Sequence, residues 1–299
     1  MEIPTAVPPS SAPPPPWIEL PGDVTANILH RLGAVEILES AQRVCTTWWS
    51  VCQDPSLWQV IDMKNIGDIY EMTSDLNIIC RQAVDRSQGQ LIDFNMEYFG
   101  TDELLHYVSE RSTNLRRLRL ACCYEISGKG LSESVKKFPQ LEDLHLFFMP
   151  SIHGEDIEAI GRSCPMLKSF TFNERAYRYP LIEEDIALAV AESMPGLHQL
   201  QLFGNRMTND GLQAILDGCP NLKLLDLRQC FNVDQWKICS NQIKDLKLPY
   251  DSVHDYEWDA EICNCESFID AVHSSEFSDV DPYGGADDKS VSFASLGIS

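Results

Sequence analysis

One hydrophobic pattern recurs along most of this chain: a leucine, two variable residues, an apolar residue, one variable residue, and a second apolar residue. It is carried by "LRRLRL" (Leu115, Leu118, Leu120), "LEDLHL" (Leu141, Leu144, Leu146), "LKSFTF" (Leu167, Phe170, Phe172), "LHQLQL" (Leu197, Leu200, Leu202) and "LKLLDL" (Leu222, Leu225, Leu227). The leading leucines follow one another at intervals of 26, 26, 30 and 25 residues. "LIDFNM" (Leu91, Phe94, Met96) precedes the series and "IKDLKL" (Ile243, Leu246, Leu248) follows it. Alternation of apolar and polar positions predicts a short half-buried strand in each unit. The second half of each unit has a different period. "GLSESVKKFP" places Leu131, Val135 and Phe138 at helical spacing. "DIEAIGRSCP" does so with Ile157, Ile160 and Cys164, and "GLQAILDGCP" with Leu212, Ile215, Leu216 and Cys219. Pro139, Pro165, Pro195 and Pro220 follow these stretches and end each helix before the next strand.

A strand plus a helical return every 26 residues or so matches the leucine-rich repeat. Such a unit buries its apolar edge only against its neighbours, so the expectation is a stacked, curved solenoid of the α/β class. Cys123 and Cys230 each lie three residues past the last apolar strand residue, and Asn205 takes that place in a third unit. These side chains are expected to satisfy turning backbone inside the stack rather than to react. The run resembles the cysteine-containing class of leucine-rich repeat. Met149 and Arg175 stand at the equivalent place in two units, and the 30-residue unit carries the insertion "NERAYRYP".

The head of the chain departs from this pattern. "WIELPGDVTANILHRL" and "VEILESAQRVCTTWWSVC" carry apolar stripes with helical spacing, and "DPSLW" closes the stretch. Three short helices are predicted. Trp48 and Trp58 are expected to pack inward, Trp58 sealing the head onto the first repeat. Trp49 is the tryptophan expected to be exposed or interfacial. So short a stretch cannot easily bury this much large apolar surface by itself, so a partner or the adjoining repeats should complete it.

Composition narrows the function classes. A net charge of -22 argues against nucleic acid and against anionic lipid. No apolar run approaches a membrane span. Seven prolines in "MEIPTAVPPSSAPPPP" predict an extended leader over 1–16, not a signal peptide. With no such signal, the 11 cysteines are expected as reduced thiols, and the chain in the cytoplasm or nucleus. Neither Cys122-Cys123 nor Cys263 with Cys265 has a second pair at zinc spacing, so no metal is expected. None of the 7 histidines sits in a nucleophile or metal motif, and no cofactor loop is present, so neither an enzyme nor a cofactor is expected. Residues 251–299 hold twelve acidic side chains against one lysine. They read as a disordered, solvated tail, or as a competitor folding back onto Arg117 and Arg119.

"LPGDVTANILHRLGAVEILESAQRVCTTWWSVCQDPSLW" resembles an F-box. The matching positions include Leu20, Pro21, Asp23, Ile28, Leu29, Leu32, Leu38, Val44, Trp48, Pro55 and Trp58. Asp23 stands in place of the commoner Glu. The order of F-box then repeats is similar to the F-box/leucine-rich-repeat family, and the connector "ICRQAVDRSQGQL" looks like its plant members. Between the leader over 1–16 and the tail over 251–299, both read from composition, the resemblance implies an F-box over 17–60 and repeats over 61–250. It implies a substrate-recognition subunit of an SCF-type ubiquitin ligase, in which the F-box docks on a Skp-type adaptor and through it a cullin-RING ligase. Leu20, Pro21, Ile28, Leu29, Leu32, Leu38 and Val44 are the adaptor-contact candidates. The repeats would hold a protein substrate. The residues between the strand leucines would line that face: Arg117, Arg119, Asp143, His145, Phe147, Phe203, Asp226 and Arg228, with two aromatics expected to be exposed. Arg116, Arg117 and Arg119 form a basic island for an acidic segment or phosphate group, or are ordinary surface arginines. The alternative is a leucine-rich-repeat interaction scaffold acting outside a ubiquitin ligase.

Overall fold

Parallel strands need crossover connections, and each repeat supplies one as a helix. The computed structural model describes residues 20–64, 75–176, 182–258 and 260–262. The predicted leader and most of the predicted tail lie outside these residues. Eight strands form one parallel sheet in chain order. They are β1 (Val60–Met63), β2 (Asp93–Glu97), β3 (Arg117–Ala121), β4 (Asp143–Phe147), β5 (Ser169–Asn173), β6 (Gln199–Gln201), β7 (Leu224–Asp226) and β8 (Asp245–Lys247). Strand β1 follows directly on Trp58 and was not signalled by the leucine pattern, so the sheet starts one strand before the first recognisable repeat.

The head holds α1 (Gly22–Leu29), α2 (Ala34–Glu39) and α3 (Thr46–Val51), with short 3-10 turns at Ala41–Arg43 and Pro55–Trp58. The repeats add α4 (Leu76–Ser87), α5 (Asp102–Arg111), α6 (Gly128–Val135), α7 (Gly154–Ser163), α8 (Asp185–Ser193) and α9 (Asn209–Gly218). Several of these helices start on a polar cap that accepts an otherwise orphaned backbone N–H. Asp75 accepts from Asn77, Thr101 from Leu104, Ser127 from Gly130 and Thr208 from Asp210. Caps also link neighbours: Asp102 at the start of α5 accepts both the backbone N–H (2.8 Å) and the hydroxyl (2.6 Å) of Ser127, the next helix's cap.

The strand leucines and the helix apolar positions make one continuous core, from Leu29 in the head to Ile243. Leu118, Leu120, Leu144, Leu146, Leu200 and Leu225 have no solvent exposure. Trp58 joins head to repeats. Its indole N–H donates to Cys52 O at 2.9 Å, and the Arg86 guanidinium of α4 lies 5.7 Å over its ring. Arg86 also donates to Cys52 O at 3.1 Å.

The turn that leaves the strand is equally regular in five of the units. Tyr98, Cys122, Phe148 and Gln229 all have positive φ immediately after β2, β3, β4 and the β7 unit, and Gly204 (φ +74°) fills the place in the β6 unit. A Cβ on Gly204 would meet Glu174 O at 2.5 Å, so that position admits no side chain. The cysteine mark works as read from the sequence. Cys123 Sγ approaches Met96 O at 3.5 Å and Cys230 Sγ approaches Leu202 O at 2.9 Å, each the carbonyl of the preceding unit. Burial pushes the Cys123 thiol up to about 12, which makes it a poor nucleophile at neutral pH. The described cysteines are free thiols.

Residues 251–258 and 260–262 bear on the two readings of the tail: they are not a disordered, solvated segment but part of the folded body, and Glu257 reaches Arg119 on the open face of the sheet, as the fold-back reading expects.

Candidate functional site

Parallel register aligns the polar strand positions into rows across the sheet. One row runs Asp93, Arg117, Asp143, Ser169, Gln199. The next runs Asp62, Asn95, Arg119, His145, Thr171, Gln201, Asp226, Lys247. The structure therefore brings Arg117, Arg119, Asp143, His145 and Asp226 to one face, as the alternation predicts.

Their environments differ from the expectation of an open basic island. Arg117 Nε donates to Asp93 at 2.8 Å, and Arg116 lies 3.8 Å from Glu142. Arg119 is 3.8 Å from the buried Glu97 and donates to Glu257 at 2.7 Å. All three arginines are already paired. His145 Nδ1 lies 2.8 Å from Thr171 Oγ1. Burial, helped by Arg119, pushes its imidazole down to about 4, so it is neutral at physiological pH. Burial raises the Asp143 carboxyl against the lowering effect of Arg117.

Phe147 and Phe203, the two aromatics expected to be exposed, are buried, and so are Asp226 and Arg228, which the alternation places on the same face. Two causes cover them. Asp226 and Arg228 neutralise one another through Nε–Oδ1 (3.0 Å) and Nη2–Oδ2 (2.8 Å) contacts, which lets both leave water. The rest of the cover is the strap formed by residues 251–258. Asp255 reaches Arg228 and sits 2.8 Å from Lys247 Nζ. Tyr256 lies flat on Phe203, ring centroids 3.8 Å apart and planes within 1°. Ring quadrupoles favour an offset over such a sandwich, so desolvation of both rings and the nearby Arg228 guanidinium supply most of that contact. Arg228 lies 5.6 Å from the Phe203 ring and 5.9 Å from the Tyr256 ring. Glu257 bridges Arg119 (2.7 Å) and Lys64 (2.8 Å). Trp258 fills a cage of Tyr98, Phe147 and Phe148, with centroids at 6.3, 5.8 and 5.8 Å.

Reading the strands alone missed Lys64, Tyr98, Phe148, Lys247 and the whole "DYEW" segment. Tyr98 and Phe148 carried a faint signal: an aromatic directly after a strand, at the same place in two units. The segment 255–258 carried another, since acid and aromatic alternate in it within an otherwise featureless acidic run.

The head presents a different surface. Leu29 (0% exposed) and Leu38 (3%) are core residues of the helical head, which corrects their assignment to adaptor contact. Leu20 and Leu32 are half-buried, and Pro21 is exposed at the start of α1. Ile28 (39%) and Val44 (49%) are exposed, and so are Val24 (40%) and Trp49 (55%), which the candidate set omitted. Val24 and Ile28 are four residues apart on α1 and so share one helix face. Trp48 is half-buried against the core.

Among the described residues, no group of His, Cys, Asp and Glu is arranged to hold a metal ion. No helix among them is long and apolar enough to cross a membrane.

Comparison with known proteins follows the same division. Residues 17–64 match a family profile described as F-box-like. Residues 180–263 match one described as FBD-associated F-box protein At5g56370, LRR repeats. The chain is 46% identical over 282 residues to F-box protein SKIP19 of Arabidopsis thaliana, covering 91% of this chain and 87% of that protein. It is 48% identical to putative F-box/LRR-repeat protein 23 of the same plant, over 79% of this chain and 54% of that longer protein. It is 45% identical to putative F-box/LRR-repeat protein 22, over 81% of this chain and 80% of that one.

Proposed function

The chain belongs to the plant F-box/leucine-rich-repeat family, and from that premise we propose that it is the substrate-recognition subunit of an SCF-type ubiquitin ligase. The helical head docks on a Skp-type adaptor and through it on a cullin-RING ligase. The repeats carry the protein to be ubiquitinated. The subunit contributes no catalytic group, and it works in the cytoplasm or nucleus.

The observation that carries this reading is the unpartnered apolar surface of the head. Val24, Ile28, Val44 and Trp49 stand exposed on a module whose own core is already filled by Leu29, Ile37, Leu38, Leu57 and Trp58. Exposed side chains of this size give little to the isolated chain and supply the desolvation that docks a partner. Pro21 and half-buried Leu20 adjoin α1 and complete the candidate contact.

A pull-down with purified Skp-type adaptor tests it. The wild-type chain is expected to retain the adaptor, and Ile28→Asp and Leu20→Ala/Pro21→Ala to lose most of that retention while melting normally. Equal retention by wild type and both variants, or retention by none, would defeat the ligase reading.

A further inference from the structure

We propose that the open face of the sheet recognises a protein segment in which acidic and aromatic side chains alternate, and that Asp255-Tyr256-Glu257-Trp258 is this chain's own copy of such a segment, held there until a partner's displaces it. The proposal rests on the repeats being the substrate-holding half of the molecule, and it names the class of segment they hold.

Every one of the four side chains sits in a place that the repeats build. The first acid meets Arg228 and Lys247. The first aromatic lies on Phe203. The second acid meets Arg119 of β3 and Lys64 at the end of β1, which converge on one carboxylate from two strands apart. The second aromatic enters the cage of Tyr98, Phe147 and Phe148. A cation for each acid and an aromatic floor for each ring is a pattern of charge and shape that a surface destined for water alone has no reason to assemble.

The strap is also built to leave. Among the described residues, no backbone–backbone hydrogen bond joins 252–258 to the repeats. It is held by side chains, with Arg228 donating to Ser252 O at 3.1 Å and Gln229 to Ala260 O at 2.8 Å. Both of its carboxylates remain nearly half exposed, so each ion pair is weak by itself. The fit is incomplete as well: the Trp258 indole N–H is buried with no acceptor among the described residues. A partner whose segment supplies that acceptor gains a hydrogen bond that the strap lacks. A tethered occupant then sets a threshold. The apparent affinity for an outside segment falls by the fraction of time the face is open, so only a well-matched segment competes.

The test uses the full chain and a fluorescein-labelled synthetic peptide copying residues 251–262, followed by fluorescence anisotropy at low salt. Tyr256→Ala/Trp258→Ala in the chain empties the face. The peptide is expected to bind this variant about tenfold or more tighter than wild type. Glu257→Lys changes no buried apolar group and is expected to give the same direction of effect should the double variant not fold. Adding Arg119→Glu to either variant is expected to abolish binding, as is a peptide whose tyrosine and tryptophan are alanine. No saturable binding to either opened variant, or equal binding of a peptide with the same residues in scrambled order, would overturn the proposal. Adaptor retention is measured on the same preparations. Retention without peptide binding sinks this inference alone; peptide binding without retention sinks the ligase reading and leaves the recognition face standing.

Discussion

The helical head and the open face of the sheet both gather large side chains that an isolated surface does not need, and they treat them in opposite ways. The head leaves Val24, Ile28, Val44 and Trp49 uncovered. The face has its aromatics and cations covered by residues from the same chain. Position in the chain accounts for the contrast. The head is made from one contiguous stretch whose core is complete without those four residues. The face is made from side chains of many units, and the chain that leaves β8 passes back over them. On the two proposals above, the uncovered apolar surface of the head is the place for another molecule, and the covered charge of the face is the place where one is imitated.

The contrast can be broken or sharpened experimentally. The largest effect is expected at the buried ion pair. Arg228→Ala leaves Asp226 in the interior with only Lys247, at 4.0 Å, as a cation among the described residues, and should cost about 3–5 kcal/mol in urea unfolding. A cost below about 1 kcal/mol would mean that water reaches Asp226 and that the cover is loose. Next comes the head. Leu29→Ala should cost about 2–4 kcal/mol because its side chain is fully enclosed. Ile28→Ala, one residue away on the same helix, should change stability by no more than about 0.5 kcal/mol while weakening adaptor retention. Equal destabilisation by the two would erase the distinction between core and docking surface.

A smaller effect is expected at the strap. Glu257→Gln should shift stability by less than about 1 kcal/mol, since the pair with Lys64 is largely solvated. It should nevertheless raise the hydrogen-exchange rate of residues 251–258, with added salt shrinking the difference from wild type.

Acid gives the subtlest readout. The Lys247 hydrogen bond, with Arg228, holds the Asp255 carboxyl below its ordinary range. Burial raises the Glu257 carboxyl, but Lys64 and Arg119 outweigh it and the net shift is downward. Folded values below unfolded ones mean a contribution that is complete above the ordinary carboxylate range and lost as pH falls through the lowered values. Emission from Trp258, taken as the difference from Trp258→Phe, should therefore stay constant between pH 7 and pH 5 and change only in stronger acid. A change near pH 6 would point to another titrating group as the latch.

Much of the fold was legible because it follows from local periodicity. Leu118, Leu144 and Leu200 announce their strands by alternation, and Ile157 with Ile160 announce a helix by spacing. Pro139 and Pro165 mark where each helix must stop. Cys123 and Cys230 could be assigned to the inside of the stack from their offset alone. The positions proposed to face an adaptor were only partly legible. Leu29 and Ile28 are neighbours of like chemistry on one helix, and nothing local says which of them turns inward. The face was less legible still. Asp226 and Arg228 look like solvated strand-end charges until their mutual pairing and Asp255 are in view.

The amino-acid order by itself determined the repeating strand–helix unit, the identity of the core leucines, the helical head and the family resemblance, because each depends on residues within one or two turns or strand lengths of each other. Only the tertiary structure decided that Lys64 and Arg119 share one carboxylate, that Phe203 is covered by Tyr256, and that the start of an acidic terminal run lies on the sheet. Those contacts join residues up to 193 positions apart. Parallel register sets them by stacking unit upon unit, and no pattern within a single unit encodes where a distant segment will cross it.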